Sequence, residues 1–492
     1  MTQMTRIFCL CLTAVCLLLG ITACMADEEY TTAMDARLTF SKDTISFDTI
    51  FSGQPTGTYT FMVYNPSKKA IRIPEVRLAG GSNSPYRVNI DGMAMAGGSA
   101  RDFEIAARDS MRVFLFVNPP EKDQDALEDC SDELIFTTEG GAVCSVILQA
   151  KAQDVYRKKG WVVTRDTILQ SNRPYQILDS LVVAPGVTLT LAPGTQLYFH
   201  ADAGLRVEGT LMAVGTLEQP VLMRGDRLGN MFTNQSYDAI PGQWQGVTFT
   251  ETSYDNYLSY CDIHSGTYGL HLDSCDRSRM TLSVENSVIH NFSGHAIEAR
   301  SARMYMGNSQ VTNAGGDCLH LRGGHYLFLH CTIGNFYPFA GGRGVALDFA
   351  NYEGESRLPL EQLAFVNSIV TGYSKDEIMG SQSERYTDDA FGYVFQNCLL
   401  NTPEDEEMNA VNVAWDVDEE TAREKNFYPT FDLDRLIFTF GLHPKSKAVG
   451  IADLEFTQLN YPKDRLGRDR MADGTADAGC YEAQPLPEAD KP

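Results

Sequence analysis

The sequence predicts an all-β protein in which an antiparallel β-sandwich is followed by a parallel β-helix. The first third of the chain carries short alternating strands separated by turn signals. The remainder carries a repeat with a spacing of 22 residues, seen at Asn286, Asn308 and His330. The 41 glycines, 25 phenylalanines and 22 tyrosines among 492 residues also favour strands and tight turns.

The predicted sandwich spans residues 37–154. Runs such as "TYTFMVYN" and "SMRVFLFVNPP" alternate apolar and polar residues, and turn signals follow roughly every 8–12 residues. The phrase "FMVYNPSKKAIRIPEVRL" resembles the immunoglobulin-like modules of bacterial surface lipoproteins. This resemblance implies an Ig-like fold. The segment shows no catalytic constellation, so we expect a spacer or a docking face.

The repeat that follows predicts stacked coils. The segments "YCDIHS", "NSVIHN", "NSQVTN", "HCTIGN", "NSIVTG" and "NCLLNT" align with one another. One coil cannot bury its own apolar face, so neighbours must stack about 4.8 Å apart. A propeller would need a repeat of about 40 residues. The alignment gives two apolar columns: Leu258, Val284, Met306, Phe328, Phe365 and Phe395, then Ile263, Ile289, Val311, Ile333, Val370 and Leu400.

Residues 161–484 resemble the right-handed parallel β-helix repeat proteins of Bacteroidota type, which have a pectate-lyase-like solenoid. The shared features are "GLRVEGTLMAVGT", "WQGVTF", the repeated "NS.I..N" blocks and the tail "DRLGRDRMADGTADAGCYEA". The resemblance covers about two-thirds of the chain and implies a right-handed solenoid with a C-terminal cap. It does not imply one activity, because this fold hosts lyases, hydrolases, adhesins and binding proteins.

The N-terminus predicts a lipoprotein. Residues 1–23 form a short apolar signal peptide, and its end, "ITAC", resembles a bacterial lipobox. The resemblance implies acylation of Cys24, a tether over residues 24–36 and anchoring in the cell outer membrane. The acidic residues 27–29 resemble a surface-export signal of Bacteroidota lipoproteins. The alternatives are an ordinary signal peptide with a chance cysteine and an ordinary solvated tether.

Charge and cysteines restrict the partners. The formal net charge of −24 argues against nucleic acid. We expect the lipid bilayer, through Cys24, and a glycan or a surface protein as partners. The mature chain carries no close metal-type cysteine pair, so no metal site is predicted. No cofactor is required, although Ca²⁺ stays open. The disulfide status of four cysteines is also open: Cys130, Cys144, Cys275 and Cys480.

The alignment predicts one outward row of catalytic candidates. In "CLHL", Leu319 and Leu321 face the core, so His320 faces outward. The matching positions on other coils are His271, Glu298 and Asp348. A histidine beside carboxylates on a rigid sheet suits acid–base chemistry. The alternative is a solvated polar ladder.

Other histidines of this region are interpreted through the same repeat. His264 and His290 form a second short row that follows the inward isoleucine column. His330 replaces an asparagine of the turn column, and His325 is expected in a glycine-rich turn.

Insertions between coils supply candidate ligand-binding residues. We expect exposed rings at Phe336, Tyr337 and Tyr352 to stack on sugars, with Arg322 and Arg343 as the basic partners. The alternative is that the aromatic residues only cover the side of the helix.

Three functions remain compatible with the sequence. The favoured one is an envelope-anchored β-helix that binds carbohydrate or another surface ligand. The first alternative is a polysaccharide lyase or glycoside hydrolase acting on an acidic glycan. "GGDCLHL" is partly similar to the "DDC" motif of polygalacturonases, but the companion motifs of that family are missing. The second alternative is a purely structural or adhesive envelope protein.

Overall fold

A computed structural model describes residues 29–170, 172–232, 234–417 and 423–487. The predicted signal peptide and Cys24 lie outside the described residues. The chain divides into two compact units, residues 1–154 and residues 155–492. Within the described ranges, no helix combines the length and the apolar character needed to cross a bilayer.

The first unit is a β-sandwich built from two largely antiparallel sheets. One sheet contains, in spatial order, Thr39–Phe40, Tyr59–Tyr64, Ser110–Val117, Tyr86–Ile90 and Met93–Ala94. The other contains Thr44–Phe51, Val143–Gln153, Asp132–Thr137, Ile71–Leu78 and Ser99–Ile105, with Glu128–Asp129 beside Val143–Gln153. Alternate residues of these strands are buried between the sheets, as in Ile71, Ile73, Val113 and Leu115. A 3-10 turn spans Gly81–Asn83.

The second unit is a parallel β-helix whose described residues form three stacks of short parallel strands. Stack 1 contains Tyr156–Lys158, Tyr175–Ile177, Gln196–Phe199, Val221–Gly225, Cys261–His264, Val288–Phe292, Gln310–Ala314, Thr332–Asn335, Ile369–Gly372, Leu399–Leu400 and Ala414–Trp415. Stack 2 contains Trp161–Val163, Ser180–Val183, Gly204–Val207, Val247–Phe249, Leu270–Leu272, Ile297–Arg300, Leu319–Arg322, Leu347–Ala350 and Ile378–Ser381. Stack 3 contains Thr167–Leu169, Thr188–Leu191, Thr210–Val214, Asn256–Ser259, Leu282–Glu285, Arg303–Gly307, Gly324–Leu329, Leu360–Val366, Phe391–Gln396 and Ala410–Val411.

Both predicted apolar columns are confirmed. Leu258 pairs with Val284, and the column continues in register through Met306, all of them fully buried. Farther along the same column, the rings of Phe328 and Phe365 stack with centroids 4.4 Å apart. The isoleucine column is likewise buried in stack 1. The core of the β-helix therefore consists of like residues stacked from coil to coil, which is the packing that the repeat predicts.

The turn between stack 3 and stack 1 uses one residue in the left-handed region. Asparagine occupies most of these positions because it tolerates a positive φ better than other residues. His330 adopts the same conformation, with φ 49°, so its interpretation as a turn residue is confirmed. The turn positions are Tyr260, Asn286, Asn308, His330, Asn367 and Asn397. His325, by contrast, lies in the strand Gly324–Leu329 and not in a turn.

The C-terminal residues 423–487, called the tail from here on, cover part of the outer side of stack 1. Phe427, Phe431 and Phe440 pack with Phe336 and Ile369 in a second apolar cluster outside the coils. The fully buried Arg470 donates to Asn308 Oδ1 at 2.8 Å, which ties the tail to the turn column. The tail also contains the 3-10 turn Arg423–Asn426 and the helix Leu454–Asn460. Stack 1 is therefore covered by polypeptide over part of its outer face.

Two hairpins and one further 3-10 turn extend from the coils. The hairpins are Asn230–Phe232 with Gln235–Ser236, and Tyr352–Glu353 with Ser356–Arg357. The 3-10 turn is Tyr237–Ala239. The first hairpin and this turn form part of the groove described below.

Candidate functional site

The outward row predicted on stack 2 is present. His271 pairs in register with Glu298, Glu298 with His320, and His320 with Asp348. The residues on either side of His320, Leu319 and Leu321, are fully or almost fully buried. The four side chains therefore stand on consecutive coils, about 4.8 Å apart, on the outer face of the sheet.

The first two members of the row are in contact. His271 Nδ1 lies 3.2 Å from Glu298 Oε2, and His271 Nε2 lies 3.0 Å from Asp273 Oδ1. The hydrogen bond to Glu298 raises the pKa of His271 despite its partial burial. The same bond lowers the pKa of Glu298. Glu298 therefore accepts a hydrogen bond from His271, and this contact makes its carboxylate less available as a catalytic group.

His320 is oriented by a carboxylate that the row alone did not include. Its Nδ1 lies 2.8 Å from Asp317 Oδ2, and Asp317 Oδ1 accepts the backbone N–H of Val345 at 2.9 Å. Burial alone would raise the pKa of Asp317, but the hydrogen bonds from His320 and Val345 hold that pKa below its usual value. An ionised carboxylate only accepts hydrogen bonds, so His320 Nδ1 donates. In the neutral ring, Nε2 is then left as a proton acceptor.

His295 completes this cluster. Its ring stacks on the ring of His320 with centroids 4.3 Å apart, and its Nδ1 accepts the backbone N–H of Asp317 at 2.9 Å. Burial and the neighbouring His320 lower the pKa of His295. The repeat could have identified the contact between His295 and Asp317 in the sequence, because these residues are separated by one repeat of 22 residues.

The carboxylate of Asp348 is also engaged, in an ion pair with Arg322. Arg322 contacts both of its oxygens, with Nη2 to Oδ2 at 2.6 Å and Nη1 to Oδ1 at 3.2 Å. The same guanidinium lies 3.4 Å from His320 Nδ1. Glu298 and Asp348 therefore do not form the free pair of carboxylates that glycoside hydrolysis requires.

The prediction of exposed, ligand-binding rings is wrong for Phe336 and Tyr337. Phe336 is fully buried and packs against Phe427, Phe431 and Phe440, and Tyr337 is only 7% exposed. The segment follows the strand Thr332–Asn335 and is covered by the tail, a contact that the local pattern cannot show. Tyr352 is half-buried in its hairpin.

Arg343 is also unsuited to the predicted role in ligand binding. Its side chain is 7% exposed and contacts the fully buried Glu377, with Nη2 to Oε1 at 2.6 Å. Glu377 also accepts the backbone N–H groups of Ala346 and Ser374. This pair stabilises the turn between stacks 1 and 2. Arg322 is part of the stack 2 cluster described above.

A groove of about 1080 Å³ lies along the outer side of stack 1. Its floor is formed by stack 1, one wall by the hairpin and 3-10 turn of residues 230–239, and the other wall by the tail. The sequence did not predict it, since its walls come from segments about 200 residues apart. The residues that line the groove include Asp238, Asp262, His290, Arg435, Phe438, Arg465 and Tyr481.

A second cluster of histidines and carboxylates borders this groove. His264 and His290 pair in register on adjacent coils, as the second predicted row requires, and their rings stack with centroids 4.7 Å apart. His290 Nε2 lies 3.1 Å from Asp262 Oδ1, and His264 Nε2 lies 3.7 Å from Asp238 Oδ1. Asp238 is also paired with Arg224. Asp238 and Arg224 were missed because only the fold places them beside the histidines. Asp262 was missed although it lies two residues before His264 in the strand Cys261–His264, where strand alternation places both side chains on one face.

Burial sets the charge states of this cluster. His264 is 3% exposed. Burial, together with the neighbouring His290 and Arg224, lowers the pKa of His264 to about 4, although Asp262 and Asp238 oppose the shift. Burial would raise the pKa of Asp262, but His264, His290 and Arg465 outweigh it and hold that pKa well below the usual range. At neutral pH the cluster therefore contains a neutral His264 and an ionised Asp262.

The chain is thus a parallel β-helix protein with an N-terminal β-sandwich. A family model described as the right-handed beta helix region matches residues 245–353. Among curated proteins, a segment of 72 residues is 39% identical to Protein bark beetle of Drosophila melanogaster. That segment is 14% of this chain and 2% of the relative, so the similarity is confined to a small part of each protein.

Solved structures with detectable similarity have low TM-scores. The Agl-KA catalytic domain is 10% identical, with 73% of each chain covered and a TM-score of 0.25. A family 123 glycoside hydrolase from Clostridium perfringens is 5% identical, covers 26% of this chain and 30% of its own, and has a TM-score of 0.18. The PapD-like domain 7 of human CEP192 is 10% identical, covers 27% of this chain and 94% of its own, and has a TM-score of 0.18.

Proposed function

We propose that the protein binds a carbohydrate in the groove along stack 1. The observation that carries the proposal is the groove itself, whose volume of about 1080 Å³ exceeds that of most small-molecule pockets. Its lining combines exposed amide groups, such as those of Asn230 and Gln484, with the rings of Phe438 and Tyr428. Hydroxyl-rich ligands need many hydrogen-bonding partners together with flat apolar surfaces, and this lining offers both.

The groove lining contains three arginines and three carboxylates, so its preference for an acidic sugar rests on the position of one arginine and not on net charge. The tail contributes Arg435, Arg465 and Arg468 to the lining. Among the described residues, Arg465 Nε is buried without a hydrogen-bond partner. A buried donor of this kind is costly unless a ligand or water satisfies it. Arginine recognises carboxylates through paired hydrogen bonds, so a uronic acid is the sugar class that supplies the missing acceptor.

The binding proposal is tested with a glycan array followed by calorimetry on the full chain. We expect Phe438→Ala to weaken the binding of the best acidic glycan roughly tenfold, about 1.4 kcal/mol, because a stacking ring is lost. Arg435→Ala should weaken acidic glycans more than neutral ones. Tyr352→Ala, on a hairpin outside the groove lining, is the matched control and should bind normally. Binding that survives Phe438→Ala and disappears in Tyr352→Ala would move the site away from the groove.

A second candidate function is general-base chemistry on a glycan at stack 2. It is favoured by one observation, the 2.8 Å contact between His320 Nδ1 and Asp317 Oδ2. A carboxylate that fixes the donor nitrogen leaves the other nitrogen of the ring to take a proton. The test is incubation with pectins, alginates and glycosaminoglycans, read for unsaturated or new reducing ends. Turnover should fall about 10²–10⁴-fold in His320→Gln. Turnover that His320→Gln leaves unchanged would refute this site.

Anchoring through Cys24 is the third part of the proposal. The lipobox-like "ITAC" and the acidic residues behind it support a lipid anchor in the outer membrane. Labelling of expressing cells with a clickable fatty acid should mark the wild-type protein and not Cys24→Ser. Equal labelling of both proteins would exclude Cys24 as the acylation site.

A further inference from the structure

We propose that Asp262, His264 and His290 form a binding site for a divalent transition-metal ion at the edge of the groove. One potential donor atom from each of the three residues lies within 4.8 Å of the other two. Two imidazoles and one carboxylate are a donor set suited to Zn²⁺, Co²⁺ or Ni²⁺, whereas Ca²⁺ prefers oxygen donors alone. The inference does not depend on carbohydrate binding.

The hydrogen bonds of His264 fix which nitrogen is available. Ser265 Oγ donates to the backbone carbonyl of Asp238 at 2.5 Å, so its single proton is used. The contact of 2.8 Å between Ser265 Oγ and His264 Nδ1 must therefore be donated by the ring. This second bond is the kind of support that holds a metal-binding histidine in one tautomer. The lone pair then resides on His264 Nε2.

This lone pair faces another group that only accepts hydrogen bonds. His264 Nε2 and Asp238 Oδ1 are 3.7 Å apart, beyond hydrogen-bond distance. Neither atom carries a proton when the ring is neutral and the carboxylate is ionised. Asp238 Oδ1 is already paired with Arg224, and its side chain is 54% exposed. His264 Nε2 is therefore the atom of this contact whose lone pair a metal ion would use.

The rest of the cluster can close around an ion. His290 Nε2 and Asp262 Oδ1 are 3.1 Å apart, a hydrogen bond that the ring donates to the carboxylate. This separation is close to the roughly 3.3–3.5 Å between two ligands of a tetrahedral Zn²⁺, so a metal ion would take the place of the Nε2 proton, which is released to solvent. The side chains of His290 and Asp262 are 24% and 37% exposed, so small rotations can bring them toward the more rigid His264. Both line the groove, so any further coordination position faces the groove.

Neighbouring charges limit the choice of ion. Arg224 pairs with Asp238, and Arg465 contributes positive charge near Asp262. These two cations oppose two carboxylates, so the surroundings do not attract cations by charge alone. The imidazole nitrogens must therefore supply the selectivity, which again favours a transition metal over Ca²⁺ or Mg²⁺.

The cluster on stack 2 has a similar composition and serves as a contrast. His295, Asp317 and His320 also place potential donor atoms within 4.8 Å of one another. There, however, His295 Nδ1 already accepts the backbone N–H of Asp317, and the Arg322 guanidinium lies 3.4 Å from His320 Nδ1. Because a backbone N–H already uses the lone pair of His295 Nδ1, this cluster is the poorer metal site.

The test is titration of the full chain, purified without a polyhistidine tag, with Co²⁺ and with Zn²⁺. We expect about one equivalent of Co²⁺ to bind with a change in visible absorption, and Zn²⁺ to displace it. His290→Gln and Asp262→Asn should each weaken Co²⁺ binding at least about tenfold. His320→Gln, the matched variant on stack 2, should bind Co²⁺ as the wild type does. Far-UV circular dichroism checks that each variant is folded.

Two results would overturn the inference. One is the absence of Co²⁺ and Zn²⁺ binding to the folded wild type. The other is binding that His320→Gln removes while both His290→Gln and Asp262→Asn retain it. Calorimetry with glycan in the presence of EDTA keeps the two proposals separate, because carbohydrate binding that persists without metal leaves the groove proposal intact.

Discussion

The outer faces of stack 1 and stack 2 carry similar side chains in different surroundings. Each face stacks two histidine rings, His264 on His290 and His295 on His320, and each adds carboxylates within hydrogen-bond distance. The tail and the 230–239 segment cover part of stack 1 and leave a groove there. On stack 2 the histidine row remains partly exposed. The comparison teaches that the repeat positions these side chains, whereas the polypeptide covering them decides their charge states.

Removing a fully buried ion pair should destabilise the protein more than removing a partly buried one. Arg343→Met leaves the fully buried Glu377 without its guanidinium, so we expect it to lower the free energy of unfolding by about 3–5 kcal/mol. Arg322→Met removes the partner of Asp348, which is 21% exposed on stack 2, and should cost less than about half as much. Urea denaturation of both variants measures the difference. Equal losses would show that covering does not control the strength of these pairs.

The turn histidine should make the protein sensitive to acid. His330 is fully buried, and burial lowers its pKa well below the usual value. Below about pH 6.5 the unfolded chain binds a proton at this histidine that the folded chain does not. The free energy of unfolding therefore decreases as the pH is lowered, by up to about 1.4 kcal/mol per pH unit. His330→Asn should remove this contribution, because asparagine already occupies the same turn conformation at Asn308 and Asn367.

The matched control for that prediction is Thr457→Val. Thr457 Oγ1 lies 2.9 Å from His330 Nε2, so the control loses this contact but keeps the buried imidazole. Thermal melting between pH 7 and pH 5 should show a shallower pH dependence in His330→Asn and an unchanged one in Thr457→Val. The idea fails if both variants keep the slope of the wild type.

The row on stack 2 should show a small dependence of opposite sign. Glu298 raises the pKa of His271, so the pair stabilises the protein below about pH 6.5, and this stability is lost as pH rises through the raised pKa. The two side chains are 35% and 30% exposed, so solvent screening limits the contribution to less than about 1 kcal/mol.

Glu298→Gln should therefore flatten the stability profile between pH 6 and pH 8. His271→Gln should have at least the same effect, because it also removes the contact with Asp273. Adding Glu298→Gln to His271→Gln should change nothing further, because the shared interaction is already lost. Additive effects of the two substitutions in urea denaturation would contradict the pairing.

Much of the solenoid could be predicted from the sequence because its order is local and periodic. The repeat identified both apolar columns, the turn position of His330 and the outward row from His271 to Asp348. Parallel strands in register carry each residue to the same position on the next coil, so linear spacing is enough. The immunoglobulin likeness of the sandwich and the lipid anchor at Cys24 stay predictions.

The errors arose where distant segments meet. Phe336 and Tyr337 look like exposed loop residues in the sequence, but the tail, about 100 residues later, buries them. Arg343 looks like a free basic residue, but Glu377 neutralises it. The groove combines stack 1 with the 230–239 segment, which lies between two strands of stack 1 in the sequence, and with the tail. Its walls therefore could not be derived from the repeat.

The sequence by itself determined the stacking of like residues, because a repeat of 22 residues and the alternation of a β-strand fix which side chains face outward. Only the tertiary structure decided which of those outward residues are covered. The segments that cover stack 1 exclude water from His264, and this burial lowers its pKa to about 4. The same cover places Asp238 beside His264. The chemistry proposed for this protein therefore depends on the covering of stack 1 by the 230–239 segment and the tail, which the repeat does not predict.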